Sequence, residues 1–285
     1  MVDTNTSIVN LGDLSKPATV LIERISDAVG GIFHPYQIKR MAKAKAEANK
    51  IKTVSRIEIT ELQKRAFRRL LQEEADKQQN IESITTKALP ALTQMSNPKD
   101  VERDWLINFF DKARMISDPQ MQNLWSKILA GEANAPGRFS KRTISMIASL
   151  DKRDASLFNS LSNFVWNLGK TIVPLIFNVD EKIYNDYGIN FETLKHLDSI
   201  GLISFESLVG YVLGDLPQNI KIFYKSIPLS ITFAKMEKNK LNVGLVLLTS
   251  VGEDLIRICD TKTVEGFTEY VIKKWSHNGH TIKPE

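Results

Sequence analysis

The feature that most constrains the fold is a run of helix-start and helix-stop signals between residues 97 and 158. Asn97 followed by Pro98 is a favoured way to begin a helix, because Asn caps the first turn and Pro suits its first position. Apolar residues then recur at steps of four, four, four and three, the spacing of one helix face: Val101, Trp105, Phe109, Ala113 and Ile116. The stretch therefore predicts a helical core.

Two further helices are predicted in the same stretch. Ser117 and Gln120 have capping-box spacing, and Gly131 is placed to end the helix that they start. Its core-facing stripe comprises Met121, Leu124, Trp125, Ile128 and Leu129. After a turn at Ala135-Pro136-Gly137, Ser140 is a candidate N-cap for a third helix through Leu150.

A family resemblance rests on these residues. The string DW…FF…A…ISD…MQ…LW…ILAGE…PG.FS.RT resembles a group of uncharacterised bacterial proteins that are similar to the abortive-infection alpha family. The N-terminal string LSKPATVLIERISDAVGGIFHPYQIKRMAKAKAEA resembles theirs too, so the resemblance covers most of the chain. It implies a cytosolic bacterial protein with a role in phage defence, and it implies no catalytic residues.

Length and cysteine content bound the class of protein. The 285 residues suffice for two domains of ordinary size. One cysteine, Cys259, excludes an intramolecular disulfide and a cysteine metal cluster, which fits a reducing compartment. Neither a secretory signal nor a transmembrane helix is expected from the hydropathy pattern. We therefore expect a cytoplasmic protein, with peripheral attachment to the inner membrane face as the alternative.

The net charge of +5 is unevenly distributed. Between residues 39 and 69, eleven lysines and arginines stand against three glutamates. Such a block attracts nucleic acid or anionic lipid, although a solvated helix face would have the same composition. The residues predicted to bind either polyanion are Lys39, Arg40, Lys43, Lys45, Lys50, Lys52, Arg65, Arg68 and Arg69.

An amphipathic stripe from Leu14 to Ile32 precedes the basic block, with Ser15 as its N-cap and Gly30-Gly31 at its end. Membrane or partner docking is one interpretation, and its candidate residues are Leu21, Ile25, Val29, Ile32 and Phe33. Docking on the protein's own core or on a second subunit is the favoured one, because the polar face carries Glu23 and Asp27.

Self-association is expected in the first ~90 residues. The stripe just described, a thin alanine face at Gln37–Asn49 and a further amphipathic segment at Arg56–Thr86 offer more apolar surface than one small helical domain buries. The predicted quaternary structure is a homo-oligomer, most simply a dimer. The alternative is a monomer in which these helices wrap the 97–158 core.

Beyond residue 150 the pattern changes to α+β. Asp151 and Asp154 predict a helix start, and the helix leads through Leu157, Phe158, Leu161, Phe164 and Val165. A helix from Asn190 to Gly201 follows. Strands are predicted at Thr171–Phe177, Ile203–Leu213, Ile220–Tyr224, Leu229–Ala234 and Leu241–Leu248, with a hairpin turn at Asn239-Lys240. Two C-terminal helices are also predicted. The first begins with a capping box of Ser250 and Glu253, and the second spans Thr263–Trp275.

These patterns predict a mainly α N-terminal part followed by a winged-helix-like α+β C-terminal part. The expected division is 1–96 as an arm of amphipathic and basic helices, 97–150 as a helical core and 151–285 as the winged-helix-like domain. All four tryptophans fall on helical stripes and are expected in the core before they serve as base-stacking platforms.

The sequence contains one candidate binding site for a small anion and no recognisable catalytic motif. Gly169-Lys170-Thr171 lacks the glycine that a phosphate loop needs five residues earlier, where Phe164 stands. No HExxH, GxSxG or CxxC pattern occurs, so we expect a non-enzymatic protein without a cofactor or metal. The anion candidate is a basic helix N-terminus formed by Arg138, Ser140, Lys141 and Arg142, with a solvated turn as its alternative.

Two functional hypotheses follow. In the first, the protein acts in phage defence or regulation by binding nucleic acid, a partner protein encoded nearby, or both. In the second, it is a membrane-surface interaction protein that uses the N-terminal amphipathic helix and the basic segment.

Overall fold

A computed structural model shows two compact units, Met1–Ser149 and Leu150–Glu285. The first unit is helical and the second combines antiparallel strands with helices, which confirms the predicted order of a mainly α part before an α+β part. The residues that the structure describes are 14–30, 60–169, 171–277 and 279–284. The first unit includes the 1–96 stretch and the 97–150 stretch up to Ser149.

Five α-helices lie in the described part of the first unit: α1 (Lys16–Val29), α2 (Glu61–Ala88), α3 (Arg103–Ala113), α4 (Pro119–Asn134) and α5 (Lys141–Ile147). The Ser15 side chain accepts a hydrogen bond from Ala18 N, so Ser15 begins α1 as predicted. Gly30 ends α1 with a φ of 84°, a conformation that favours glycine. Ser140 begins α5 in the same way, by accepting from Thr143 N.

Two predicted helix starts differ from the structure. Asn97 and Pro98 begin a 3₁₀ turn, Pro98–Asp100, and α3 starts only at Arg103. Asp118 caps α4 in place of Ser117, because its carboxylate accepts from both Gln120 N and Met121 N. A carboxylate at this position also interacts favourably with the helix dipole, which a serine hydroxyl does not.

Two predicted helix ends differ as well. Helix α4 continues past Gly131 to Asn134, and Gly131 lies buried in its interior. A Cβ on Gly131 would lie 2.7 Å from Phe139 Cε2, so the glycine makes room for a ring from a later segment. Helix α5 ends at Ile147, before the predicted Leu150.

The apolar face of α1 is buried inside the first unit. Ala18, Leu21, Ile22 and Ile25 pack against α3 and the 3₁₀ turn before it. Arg24 fastens the helix by donating to Val101 O over 2.6 Å. The favoured interpretation of this stripe is docking on the protein's own core or on a second subunit, and its described residues pack on the protein's own core.

Five helices and nine strands lie in the described part of the second unit. The helices are α6 (Lys152–Leu161), α7 (Lys182–Asn185), α8 (Phe191–Ser199), α9 (Ser250–Ile256) and α10 (Phe267–His277). The strands are β1 (Val165–Leu168), β2 (Thr171–Pro174), β3 (Ile203–Phe205), β4 (Tyr211–Leu216), β5 (Asn219–Tyr224), β6 (Ile227–Thr232), β7 (Asn239–Gly244), β8 (Val246–Leu248) and β9 (Thr281–Pro284). As predicted, Asn190 caps α8 by accepting from Thr193 N.

The strands form one five-stranded sheet and two pairs. The sheet has the order β2-β1-β5-β6-β9, and the pairs are β3–β8 and β4–β7. All ladders between these strands are antiparallel. An isolated bridge between Ile176 and Gly244 joins the segment after β2 to the end of β7.

Several predictions for the second unit are corrected. Val165–Leu168, which the sequence placed at the end of a helix, is a strand whose side chains alternate in burial and which pairs with β2. Asn239 and Lys240 form no hairpin turn: they begin β7, which pairs with β4 instead of β6. Ile203–Leu213 divides into β3 and β4 around Gly210, whose φ is 71°.

The predicted boundaries of the last two helices also shift. Thr249 caps α9 in place of Ser250, since its hydroxyl accepts from Gly252 N. Helix α10 begins at Phe267, four residues after the predicted Thr263.

All four tryptophans are buried, as expected. Trp105 is 4% exposed, and Trp125, Trp166 and Trp275 are fully buried. In the second unit Trp166 stacks on Tyr224 with ring centroids 5.0 Å apart and meets Trp275 edge to face. These rings fill the cores and are not available as stacking platforms for bases.

Candidate functional site

The most exposed regular element is the first half of helix α2. Residues 61–76, hereafter the arm, are all exposed. A capping box starts the helix, because Gln63 N donates to Thr60 Oγ1 and Thr60 N donates to Gln63 Oε1. The arm is thus ordinary, well-capped helix that is exposed along its length. Near its end, Glu74 borders a pocket that Val29 and Arg114 also line.

The second half of α2 is fixed to helix α4. Ile81, Ile84 and Ala88 are buried in the first unit. A polar network around Gln122 reinforces this contact: Ser83 Oγ and Lys87 Nζ both donate to Gln122 Oε1 over 2.7 Å. Because the helix is continuous, this anchor gives the arm a defined direction.

The arm has two chemically different faces. Successive residues of an α-helix turn by about 100°, which gathers the apolar side chains on one half of the circle. These are Leu62, Ala66, Phe67, Leu70 and Leu71. The other half carries Lys64, Arg65, Arg68 and Arg69. The structure therefore brings together three of the basic residues predicted to bind a polyanion, Arg65, Arg68 and Arg69.

Two of the arm's four cations are engaged in weak surface ion pairs. Lys64 Nζ lies 2.7 Å from Glu61 Oε1, and Arg69 Nε lies 3.3 Å from Glu73 Oε1. All four of these side chains are more than half exposed, so water screens the pairs. Among the described residues, Arg65 and Arg68 have no ion pair. Their guanidinium groups are the freest cations of the arm.

The remaining members of the basic block, Lys39, Arg40, Lys43, Lys45, Lys50 and Lys52, lie outside the described residues. The same holds for Ile32 and Phe33 of the predicted membrane-docking set. Of that set, Leu21 and Ile25 are fully buried within the first unit, and Val29 is half-buried. The α1 face therefore does not form an exposed apolar surface.

At the predicted anion site at the start of α5, the buried Nε of Arg138 has no hydrogen-bond partner among the described residues. Ser140 Oγ accepts from Thr143 N, and the Arg138 guanidinium lies over the Phe139 ring at 5.5 Å. Lys141 and Arg142 are exposed on the first turn. These four residues form a structured turn at the surface.

The buried carboxylate of Glu132, which the sequence reasoning missed, fills the turn that precedes Ser140. Glu132 Oε1 accepts from Gly137 N over 2.7 Å, and Oε2 accepts from Phe139 N over 2.9 Å. Burial raises the pKa of Glu132, and these backbone hydrogen bonds counteract part of that rise. Trp105 Nε1 donates to Phe139 O over 2.7 Å, which closes the turn from its other side. The GE…PG.F motif thus encodes a turn built around a carboxylate of the protein itself.

A second feature missed by the sequence reasoning is a polar pocket of about 580 Å³ in the second unit. One face of α10 supplies Tyr270, Lys273, Lys274 and His277, opposite Phe177 and Glu181. Lys274 Nζ lies 3.5 Å from Glu181 Oε1. Burial raises the pKa of Tyr270 to about 12. The i, i+3, i+4, i+7 spacing of these four side chains was the available signal.

Among the residues that the structure describes, there is no group of three or more His, Cys, Asp or Glu that could hold a metal ion. None of the helices described is both long and apolar enough to cross a membrane.

Comparison with known proteins gives one match. Residues 64–272 match the model of a family described as "Protein of unknown function (DUF2806)". The chain belongs to this family. The match begins within the arm, at Lys64, and ends within α10, so family membership covers both units. No curated protein matches the chain, and no solved structure matches it.

Proposed function

We propose that this DUF2806 protein is a non-enzymatic binding protein that contacts nucleic acid through the basic face of the arm. The observation that carries the proposal is the grouping of Lys64, Arg65, Arg68 and Arg69 on one face of an exposed, anchored helix. Phosphate contacts by lysine and arginine supply most of the affinity in sequence-independent binding. The helix holds these cations in place before binding, which lowers the entropic cost of association.

The architecture that we propose for the second unit is a winged helix with an enlarged wing. Its support is the succession of α7, α8 and β3, the antiparallel pairing of β3 with β8, and helix α9 directly after β8. Strands β4 to β7 stand between β3 and β8, at the place of a wing. Strand β2 packs beside β8, as the first strand of such a module would.

Helix α8, which corresponds to the recognition helix of that module, is poorly suited to a DNA groove. Lys195 Nζ lies 3.2 Å from Asp198 Oδ2, and His196 is held by Asp154. Glu192 is exposed on the first turn. We therefore assign nucleic-acid contact to the arm and a protein-interaction role to the second unit.

The biological context that we propose is bacterial phage defence or regulation in the cytoplasm. Its support is the resemblance of the DW…FF…ISD…LW…ILAGE…PG.FS.RT string to proteins similar to the abortive-infection alpha family. A partner protein encoded nearby is part of the same proposal. The efficiency of phage plating tests this proposal on three kinds of cells: with the wild-type gene, with the Arg65→Gln/Arg68→Gln variant and without the gene. Equal plating on all three would contradict the proposal.

A second candidate function is attachment to an anionic membrane surface. The specific observation in its favour is that the exposed apolar face of the arm borders its basic face, the pattern of helices that lie in a lipid interface. This version moves the predicted attachment from α1, whose apolar face is buried, to the arm.

A titration of labelled duplex DNA, single-stranded DNA and RNA by fluorescence anisotropy tests the nucleic-acid proposal. The double variant Arg65→Gln/Arg68→Gln should weaken binding at least tenfold at low salt. The matched control, Lys235→Gln/Lys240→Gln, removes the same charge from exposed positions of the second unit and should change binding less than threefold. With four phosphate contacts, the slope of log K against log salt should be about −3 to −4 for duplex DNA.

The outcomes separate the two candidate functions. Absence of binding to any nucleic acid at low salt would overturn the first proposal. The second candidate function would be favoured if the protein floats with anionic but not neutral vesicles and the Arg65→Gln/Arg68→Gln variant loses this binding.

A further inference from the structure

The apolar face of the arm is too large and too continuous to be incidental. Leu62, Phe67, Leu70 and Leu71 are 68%, 57%, 52% and 57% exposed, although they follow one another along a single face. Isolated exposed apolar residues are common, but a contiguous row of large ones marks a contact surface.

We propose that this face binds the same face of a second copy of the chain, with the two arms running antiparallel and meeting near Leu70. The proposal goes beyond nucleic-acid binding and does not depend on it, because Arg65 and Arg68 lie on the opposite half of the helix. Lys64 and Arg69 flank the apolar face. A contact between identical faces closes on itself around a two-fold axis, the commonest symmetry of homo-oligomers.

The charge distribution along the arm selects the antiparallel direction. Residues 61–69 contain four cations and one carboxylate, whereas residues 72–77 contain three carboxylates and one lysine. An antiparallel pair centred near Leu70 places the basic segment of each arm beside the acidic segment of the other. A parallel pair would place like charges side by side, which is unfavourable.

The dimensions of the arm suit a short helix pair. Sixteen residues of α-helix extend about 24 Å, enough for about two heptads of contact. The anchored half of α2 keeps the arm extended, so little conformational entropy is lost when two arms meet. A contact of this length should give dissociation in the micromolar range, with each arm contributing one helix.

Sedimentation equilibrium of the full chain between 1 and 100 µM tests the association. The wild type should show a monomer–dimer equilibrium, and Leu70→Glu should shift it at least tenfold toward monomer. Gln72→Glu, a matched control, adds the same charge on the basic face two residues away and should leave the dimer in place. Because Leu70 is half exposed, its substitution should not unfold the protein, and circular dichroism with a thermal melt checks this.

Cysteine cross-linking tests the direction in a Cys259→Ser background. With antiparallel arms centred near Leu70, Leu70→Cys should form an intermolecular disulfide on mild oxidation. Leu62→Cys should not, because the two copies of position 62 would lie about 24 Å apart along the pair. Cross-linking at both positions would overturn the antiparallel arrangement in favour of a parallel one.

Three results would overturn the pairing itself. A monomeric wild type at 100 µM would exclude it directly. A monomer that Leu70→Glu destabilises thermally would show that another part of the same chain covers the face. A monomer that binds anionic vesicles, and loses that binding in Leu70→Glu but not in Gln72→Glu, would assign the face to lipid.

Discussion

His196 on helix α8 donates from Nε2 to Oδ1 of Asp154 on helix α6, over 2.6 Å. The contact joins two helices separated by 42 residues in the sequence, and Asp154 is 8% exposed. Oδ2 of the same carboxylate accepts from Asp151 N at the start of α6. One side chain thus caps its own helix and fastens α8, which connects a local signal in the sequence to the packing of the second unit.

The first prediction concerns the pH dependence of this contact. Burial raises the pKa of Asp154, but the hydrogen bonds from His196 and Asp151 N and the nearby positive charges outweigh it, so the pKa lies below its usual value. A carboxyl with a depressed pKa contributes stability at pH values above its unfolded pKa of about 3.9. That contribution is lost as the pH falls through the folded pKa.

Urea denaturation of wild type and Asp154→Asn at several pH values measures the contribution of this carboxylate to the free energy of unfolding. At pH 7 the variant should be less stable by about 1–3 kcal/mol, the range for hydrogen bonds to charged groups. Below about pH 4 the difference should begin to shrink, and the two proteins should converge as the pH falls through the depressed pKa of Asp154. Asp186→Asn, at an exposed position of the same unit, serves as control. A constant difference from pH 7 to pH 3 would contradict the assignment.

A second prediction concerns Glu132 and the turn that it holds. Glu132→Gln keeps the size of the side chain but replaces one of two accepting oxygens by a donor, which leaves a buried backbone N–H without its partner. We expect a loss of about 1–3 kcal/mol in unfolding free energy, and a larger loss for Glu132→Ala. The exposed Glu265→Gln should change it by less than about 0.5 kcal/mol. Equal stability of wild type and Glu132→Ala would show that the turn does not need the carboxylate.

Gly252 provides a third prediction. A Cβ there would lie 2.1 Å from Leu202 O, a backbone atom that cannot move aside easily. Gly252→Ala should therefore separate α9 from the segment before β3 and cost about 1–3 kcal/mol or more. At Gly214 a Cβ meets nothing within 4 Å, so Gly214→Ala should be neutral within about 0.5 kcal/mol. Thermal melts of the two variants compare them; equal melting temperatures would contradict the close approach.

The features that were predicted correctly from the sequence depend on residues that lie close together in the chain. The Ser15, Ser140 and Asn190 caps depend on hydrogen bonds within a few residues, and all three are present. What it missed depends on residues far along the chain. Glycine often ends a helix, but Gly131 lies inside α4, which continues to Asn134. The Phe139 ring occupies the space that a side chain at position 131 would need.

The same distinction applies to strands and to the site. Val165–Leu168 follows a helical stripe, and only its pairing partners in β2 and β5 make it a strand. The basic character of residues 65–69 was visible in the sequence, whereas the exposure of the whole arm was not. That exposure depends on where the anchored half of α2 meets α4, a long-range contact that single-residue spacing does not encode.

The last prediction decides what the α1 stripe does. Leu21 is fully buried against the first unit, so Leu21→Ala should remove core contacts and lower the unfolding free energy by about 2–5 kcal/mol. Glu23→Ala, two residues away on the exposed face, should change it by less than about 0.5 kcal/mol. Vesicle binding, if it occurs, should be the same for both variants and wild type, because the membrane candidate surface is the arm. Lost vesicle binding in Leu21→Ala without lost stability would instead return the docking role to α1.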